Sequence, residues 1–228
     1  MPYYYRKLDS VVADFESGNN ALEAVCDLMS TAPTEASFRN SHCGEIIASL
    51  YVGEKVGVRR LYSKLTMTTS ENTNPHKMDA LFVDMSTDDY EYIFVEAKSS
   101  ILPTEATPKA YHRHGILKQM LESLHGYGTA HPRMEMVRIR ENLENTFEKT
   151  EREKILNDLR PPGPELGFLG VSVTNAPTVS PKDDDFILSS DCSVPFSYHA
   201  VVVTNLESIA SEAYSKWDAV KAAVENDV

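Results

Sequence analysis

The chain has 228 residues, of which 42% are hydrophobic and 25% are charged, the composition of an ordinary globular protein. Its 34 acidic residues outnumber its 22 basic ones, for a formal net charge of −12. This sign argues against a protein that grips a phosphate backbone unaided, because such binding rests on basic side chains. It leaves open a protein whose carboxylates hold cations, or one to which a partner delivers a nucleic acid.

The N-terminal stretch lacks the apolar segment of a signal peptide, and no apolar run approaches the roughly 18 residues that span a membrane. We therefore expect a cytoplasmic protein with no membrane association. Cys26, Cys43 and Cys192 are far apart and form no CxxC pair, so neither a disulfide framework nor a structural zinc site is indicated.

Helical spacing of apolar residues marks the first elements of the chain. One helix is predicted over residues 20–29, ahead of Pro33, and a second over residues 41–51, ahead of Gly53. The apolar stripe of the second helix consists of Ile47, Leu50 and Tyr51.

Alternation of apolar and polar residues begins at Leu61 and predicts strands. The first strand continues through Met67, with Lys64 on its polar side. Strands at residues 78–85 and 90–98 follow and are joined by a short polar link, so we expect them to form a hairpin.

A helix is predicted over residues 112–127, followed by a long, highly charged helix over residues 137–159. The thin apolar stripe of the long helix suggests that it lies on the surface or against another protein. The acidic run from Asp183 to Asp185 is interpreted as a solvated loop. The remaining predicted elements are strands at 166–173 and 198–204 and a last helix at 206–224.

These elements predict an α/β fold in which a mixed sheet carries helices on both faces, with extra helices toward the C-terminal side. We expect a single domain over residues 1–228. Its core covers about residues 40–130, and the strands at about 166–204 complete the sheet.

Strand geometry places two acids and a lysine close together. Glu96 and Lys98 share one face of their strand because side chains alternate. A turn over residues 86–89 sets Asp79 directly opposite Glu96. Opposed residues have Cβ atoms about 4.5 to 5.5 Å apart, close enough for two carboxylates to share a divalent cation. Glu45, on the preceding helix, adds a third carboxylate.

These residue types suit hydrolysis of a phosphodiester, because an anion attacks an anionic substrate and the site must concentrate positive charge. An all-oxygen site of Asp79, Glu96 and Glu45 suits Mg²⁺ or Mn²⁺. Lys98 then positions the attacking water or neutralises the developing charge. The competing interpretation of Glu96 and Lys98 is an exposed, weakly stabilising ion pair.

Four segments in this order also resemble a known group of proteins. They are Gly44-Glu45-Ile-Ile-Ala-Ser-Leu-Tyr51, Lys64-Leu65, His76-Lys-Met-Asp79-Ala-Leu and Val95-Glu96-Ala-Lys98. Over about residues 40–130 they resemble the PD-(D/E)xK nuclease superfamily. More narrowly, the length and layout resemble the HamA-like nuclease subunit of the Hachiman and related two-component antiphage defence systems.

The resemblance implies a restriction-endonuclease-like fold, Mg²⁺-dependent cleavage of DNA, and a helicase or ATPase partner that holds and releases the nuclease. By motif position it implies metal ligands at Asp79 and Glu96, a helix acid at Glu45, a catalytic lysine at Lys98 and, more weakly, an assisting glutamine at Gln119. Met78 stands where the superfamily usually has a proline.

Two other functions remain open. One is a catalytically silent, acidic binding or regulatory module with a nuclease fold, and the other is a stand-alone restriction enzyme, for which no strongly basic region is present. His112 and His114 form an HxH pair without a third ligand at recognisable spacing. With nearby basic residues they form either a phosphate-binding face or a solvated helix face.

Overall fold

The computed structural model describes residues 32–67, 79–101, 111–127, 136–175 and 181–226. The predicted helix over residues 20–29 lies outside the described residues, as do the side chains of His112 and His114.

Six helices and five strands are found among the described residues. The helices are α1 (Ala36–Tyr51), α2 (Tyr111–Tyr127), α3 (Met136–Thr146), α4 (Lys149–Asp158), α5 (Pro181–Leu188) and α6 (Leu206–Asn226). The strands are β1 (Arg59–Ser63), β2 (Ala80–Asp84), β3 (Glu91–Ser100), β4 (Leu166–Asn175) and β5 (Ser197–Val203). A π-helical turn, Val52–Val56, extends α1, and a 3-10 turn, Lys64–Met67, follows β1.

The five strands form one mixed sheet in the order β1-β2-β3-β4-β5. Strands β1, β2 and β3 pair antiparallel, whereas β3, β4 and β5 pair parallel. The parallel crossover between β3 and β4 contains α2, α3 and α4, as parallel pairing requires a long connection. The predicted fold class, a mixed sheet flanked by helices, is confirmed.

The sheet separates two apolar layers. On one face, side chains of α1 and α6 pack against β2, β3 and β4, and Arg39 of α1 donates two 2.8 Å hydrogen bonds to Asp218 of α6. On the other face, α2, α3 and α4 cover the alternate side chains of the same strands. Strand β4 is buried on both faces from Leu169 to Thr174, as expected for a central parallel strand.

The predicted single helix over residues 137–159 is wrong, because it is two helices with a break at Phe147. Glu148 and Glu151 form a capping box that starts α4 anew. The thin apolar stripe also packs against other parts of the same chain. Five of its residues, Ile139, Leu143, Phe147, Ile155 and Leu159, are buried in the same core cluster as α2 and the sheet, and the sixth, Leu156, is partly buried against it. This stripe therefore offers no surface to another protein.

Helix α1 is longer than predicted. It begins five residues earlier, at Ala36, and its π-helical extension ends at Gly57, whose φ of 82° is the left-handed conformation that glycine tolerates. The α-helix itself ends at Tyr51, as predicted, but helical backbone continues through Gly53 instead of stopping ahead of it. Leu50, predicted in the buried stripe, is 44% exposed, because the inward face of α1 carries Cys43, Ile46 and Ala48 instead.

One prediction in the C-terminal third also needs correction. The acidic run from Asp183 lies in α5 rather than in a solvated loop, and Asp183 itself is only 3% exposed. In α6, Tyr214 and Trp217 are buried, and Trp217 packs in the core. Among the described residues, no helix is long and apolar enough to cross a membrane.

Candidate active site

The β2-β3 hairpin sets the position of Asp79 relative to Glu96. The antiparallel register pairs Ala80 with Val95, so Asp79, the next residue outward, lies where the ladder continues opposite Glu96. The backbone N–H of Ala97 donates to Oδ2 of Asp79 at 2.7 Å and fixes that carboxylate against β3. The predicted register of the hairpin is confirmed.

Glu96 and Lys98 lie on the face of β3 that packs against α2. Tyr92 and Phe94 share this face and are buried beneath the helices. Nζ of Lys98 lies 2.5 Å from Oε1 of Glu96, and Ser123 of α2 lies close enough to Glu96 to oppose the rise of its pKa. The side chain of Glu96 is only 3% exposed and that of Lys98 is 24% exposed. An ordinary surface ion pair is therefore the wrong description of these two residues.

Lys64 joins the predicted residues, although its position in the sequence had not marked it as a site residue. Its Nζ lies 3.0 Å from Oε1 of Glu45 and forms a second ion pair with Oδ1 of Asp79. The Lys64 side chain is 6% exposed, and those of its two partners are 9% and 5% exposed. We call this set the acid-lysine cluster; its members are Glu45, Lys64, Asp79, Glu96 and Lys98.

The predicted strand is the reason that Lys64 was not identified as a site residue. Alternation places this residue on the polar side of a strand that continues through Met67, but β1 ends at Ser63 and a 3-10 turn follows. The backbone N–H of Lys64 donates to the carbonyl of Asp79 at 2.9 Å, so the turn begins level with that acid. The only sequence signal for Lys64 is its place among the segments that carry the family resemblance.

Burial and like charge raise the pKa values of both glutamates in the cluster. Burial and then the charge of Asp79 raise the pKa of Glu45 to about 8. The same two causes raise the pKa of Glu96 to about 7. Burial lowers the pKa of Lys64, but the carboxylates of Asp79 and Glu45 more than offset it and hold that pKa above its usual value. The lysines therefore stay charged while the glutamates favour protonation.

Two buried carboxylate oxygens of the cluster lack a hydrogen-bond partner. They are Oε2 of Glu45 and Oε2 of Glu96. Glu45 also lines a small cavity, together with Ser49, Ser63 and Asp79 among others. Carboxylate oxygens without another partner are the donors that a hard divalent ion prefers, so the donor chemistry fits such an ion.

Asp79, the third expected metal ligand, already has other partners in this structure. Both oxygens of Asp79 have partners, Lys64 on one side and the Ala97 N–H on the other. In keeping with this, no group of three or more His, Cys, Asp or Glu side chains among the described residues is arranged as a ready-made metal site.

His42 and Ser123 are two further polar residues close to the cluster. His42 lies in the middle of α1, and burial and the charge of Lys64 lower its pKa to about 4. A neutral imidazole therefore lies beside the cluster at neutral pH. Gln119, which the resemblance implied more weakly, is exposed on α2, and Ser123, one turn later, lies close to Glu96.

Gly44 lets α1 approach β3 closely next to Glu45. A Cβ added at Gly44 would overlap Cβ and Oγ of Ser99, and backbone atoms lie behind them. We expect Gly44→Ala to lower the free energy of unfolding by about 2 kcal/mol, because overpacking forces the helix away from the strand. Urea unfolding followed by circular dichroism measures the effect.

Gly53→Ala is the matched control, because a Cβ there meets only Val58 O at 3.8 Å, an ordinary contact. We expect its unfolding free energy to stay within about 0.5 kcal/mol of that of the native chain. Equal losses in the two variants would contradict the close packing at Gly44.

The chain matches the protein-family model described as HamA over residues 2–208, which is most of its length. The match agrees with the narrower resemblance drawn from the motifs. No curated protein matches the chain significantly.

Proposed function

Since the chain belongs to the HamA family, we propose that it is a metal-dependent deoxyribonuclease, the effector subunit of an antiphage defence complex of the Hachiman type. One observation carries the proposal. The hairpin and α1 bring Glu45, Asp79, Glu96 and Lys98 together, with two carboxylate oxygens buried and unpartnered. Such oxygens are the ligands that hard divalent ions prefer.

Glu45, Asp79 and Glu96 would hold the ion, which we propose is Mg²⁺ or Mn²⁺. Bound there, the ion supplies positive charge at the phosphate and promotes ionisation of the attacking water. Glu96 contributes its free Oε2, while its Oε1 stays paired with Lys98. Burial keeps these carboxylates away from bulk water, which strengthens their hold on a cation.

Lys98 is the residue that meets the substrate in this proposal. It is the more exposed partner of its ion pair, and Glu96 fixes its ammonium beside the carboxylates. A cation held there stabilises the negative charge that develops on the phosphate and orients the attacking water. Burial lowers the pKa of Lys98, but Asp79 and Glu96 raise it above its usual value, so the charge persists at neutral pH.

We further propose that a helicase or ATPase partner delivers the DNA and controls the nuclease. The net charge of −12 supports this, because the chain carries too few basic residues to hold a duplex tightly by itself. The stripe of α3 and α4 cannot be the contact surface, since it is buried in the chain's own core.

Plasmid degradation tests the proposal. We expect the purified chain to cut DNA with Mg²⁺ and not with excess EDTA, and to cut faster when its co-purifying partner is added. Equally fast cutting without any partner would contradict the control by a partner. No cutting in any mixture would favour the alternative, a catalytically silent acidic module that uses the nuclease fold for binding.

A further inference from the structure

Lys64 occupies the place between two acids of the candidate metal site. Its ammonium pairs with Oε1 of Glu45 at 3.0 Å and with Oδ1 of Asp79. Only 6% of its side chain is exposed, too little for a residue that meets a DNA substrate directly. Its role is therefore directed at the two carboxylates.

The same ammonium also blocks the oxygen atom through which Asp79 could bind a metal ion. The Ala97 N–H donates to Oδ2 of Asp79. Oδ1 is therefore the oxygen through which Asp79 can bind an ion, but it is paired with the Lys64 ammonium. A divalent ion there would lie within a few ångströms of the ammonium. In a poorly solvated site, two cations so close repel by several kcal/mol even at an effective dielectric constant of about 20. The ion and the ammonium cannot occupy this place together.

We propose that Lys64 is an internal cation that holds the gap between Glu45 and Asp79 and leaves it when a divalent ion binds. This inference rests on the proposed function and concerns the regulation of the same site. The ammonium offsets the charge of Asp79 in the metal-free cluster and thereby lowers the apparent affinity for the ion, because the binding-competent state is only a fraction of the population. Loading with metal requires the Lys64 side chain to swing out of the gap.

Two variants of the full chain separate this role from a general effect of charge. Lys64→Met and Lys98→Met each remove one positive charge from the cluster, but only the first vacates the gap between Glu45 and Asp79, because Lys98 forms its ion pair with Glu96. Calorimetric titration with Mn²⁺ gives the affinities. We expect Lys64→Met to bind Mn²⁺ at least about tenfold more tightly than Lys98→Met does. Equal affinities, or weaker binding by Lys64→Met, would overturn the inference.

A second measurement uses the native chain and does not depend on whether Lys64→Met folds. An amine-reactive reagent is applied with and without saturating Mn²⁺, and labelling of Lys64 is followed by mass spectrometry, with exposed Lys216 as the internal reference. We expect Mn²⁺ to raise labelling of Lys64 at least about threefold, since the displaced amine becomes accessible. Protection that is unchanged while Mn²⁺ binds would overturn the inference.

The outcomes also separate this inference from the proposed function. The native chain could bind Mn²⁺ and cut DNA while Lys64 stays protected from labelling. That result would overturn the displacement of Lys64 and leave the nuclease proposal intact. Absence of Mn²⁺ binding to all three proteins overturns both.

Discussion

Glu96→Gln should reduce Mg²⁺-dependent DNA cleavage by about a thousandfold or more. The amide keeps the size of the side chain but removes the charge on the buried oxygen that is free to bind an ion, and it also removes the anionic partner of Lys98. Single-turnover cleavage at saturating Mg²⁺ measures the rate. Circular dichroism checks that the variant is folded.

Glu91→Gln is the matched control, because Glu91 begins the same strand, is exposed and lies far from the cluster. Its cleavage rate should equal that of the native chain. A Glu96→Gln variant that is folded and cuts DNA at the native rate would remove Glu96 from the site.

The stability of the metal-free chain should fall as the pH rises from 6 to 8.5. Glu45 and Glu96 have pKa values of about 8 and about 7 in the folded chain, above the ordinary value of 4.5. Groups with a raised pKa stabilise the fold when they are protonated, and this contribution is lost as the pH rises through the folded pKa. We expect a loss of about 4 kcal/mol, at about 1.4 kcal/mol for each pKa unit traversed, measured by urea unfolding in EDTA.

Glu45→Gln tests the origin of this pH dependence. The amide imitates the protonated acid at every pH, so the variant should lose less stability than the native chain between pH 6 and 8.5. Lys64 keeps Asp79 as its partner in this variant. Identical slopes for the two proteins would show that Glu45 does not titrate in this range. Saturating Mg²⁺ should flatten the native slope, because the ion stabilises the ionised acids.

The hairpin could be predicted from the sequence because its information is local. Two apolar runs and a short polar link determine the register, and the register alone places Asp79 opposite Glu96. The shared face of Glu96 and Lys98 follows from alternation in the same way. These residues form the part of the site that sequence reasoning predicted most securely.

Lys64 could not be predicted because its position depends on a contact distant in sequence. A lysine after an alternating strand is ordinarily solvated, and alternation assigned it to that side. The strand ends instead at Ser63, and the Lys64 N–H bonds to Asp79, 15 positions along the chain. The buried acids of two other elements then hold the ammonium.

The face that a helix turns to the sheet and the break between two helices could not be predicted, for related reasons. Gln119 and Ser123 both lie on α2, but packing of the helix on the sheet determines which side chain approaches Glu96, and Ser123 is one that does. The break between α3 and α4 depends on a capping box at Glu148 within a continuously charged stretch. Neither follows from the spacing of apolar residues, which fixes the face of a helix only coarsely.

The most direct test of the nuclease site is Lys98→Ala, assayed for Mn²⁺ binding and for single-turnover DNA cleavage in the same preparation. We expect the variant to bind the ion and to cleave at least about a hundredfold more slowly than the native chain, because the carboxylates remain while the cation at the phosphate is gone. A variant that binds the ion and cuts DNA at the native rate would contradict the assignment of catalysis to this cluster.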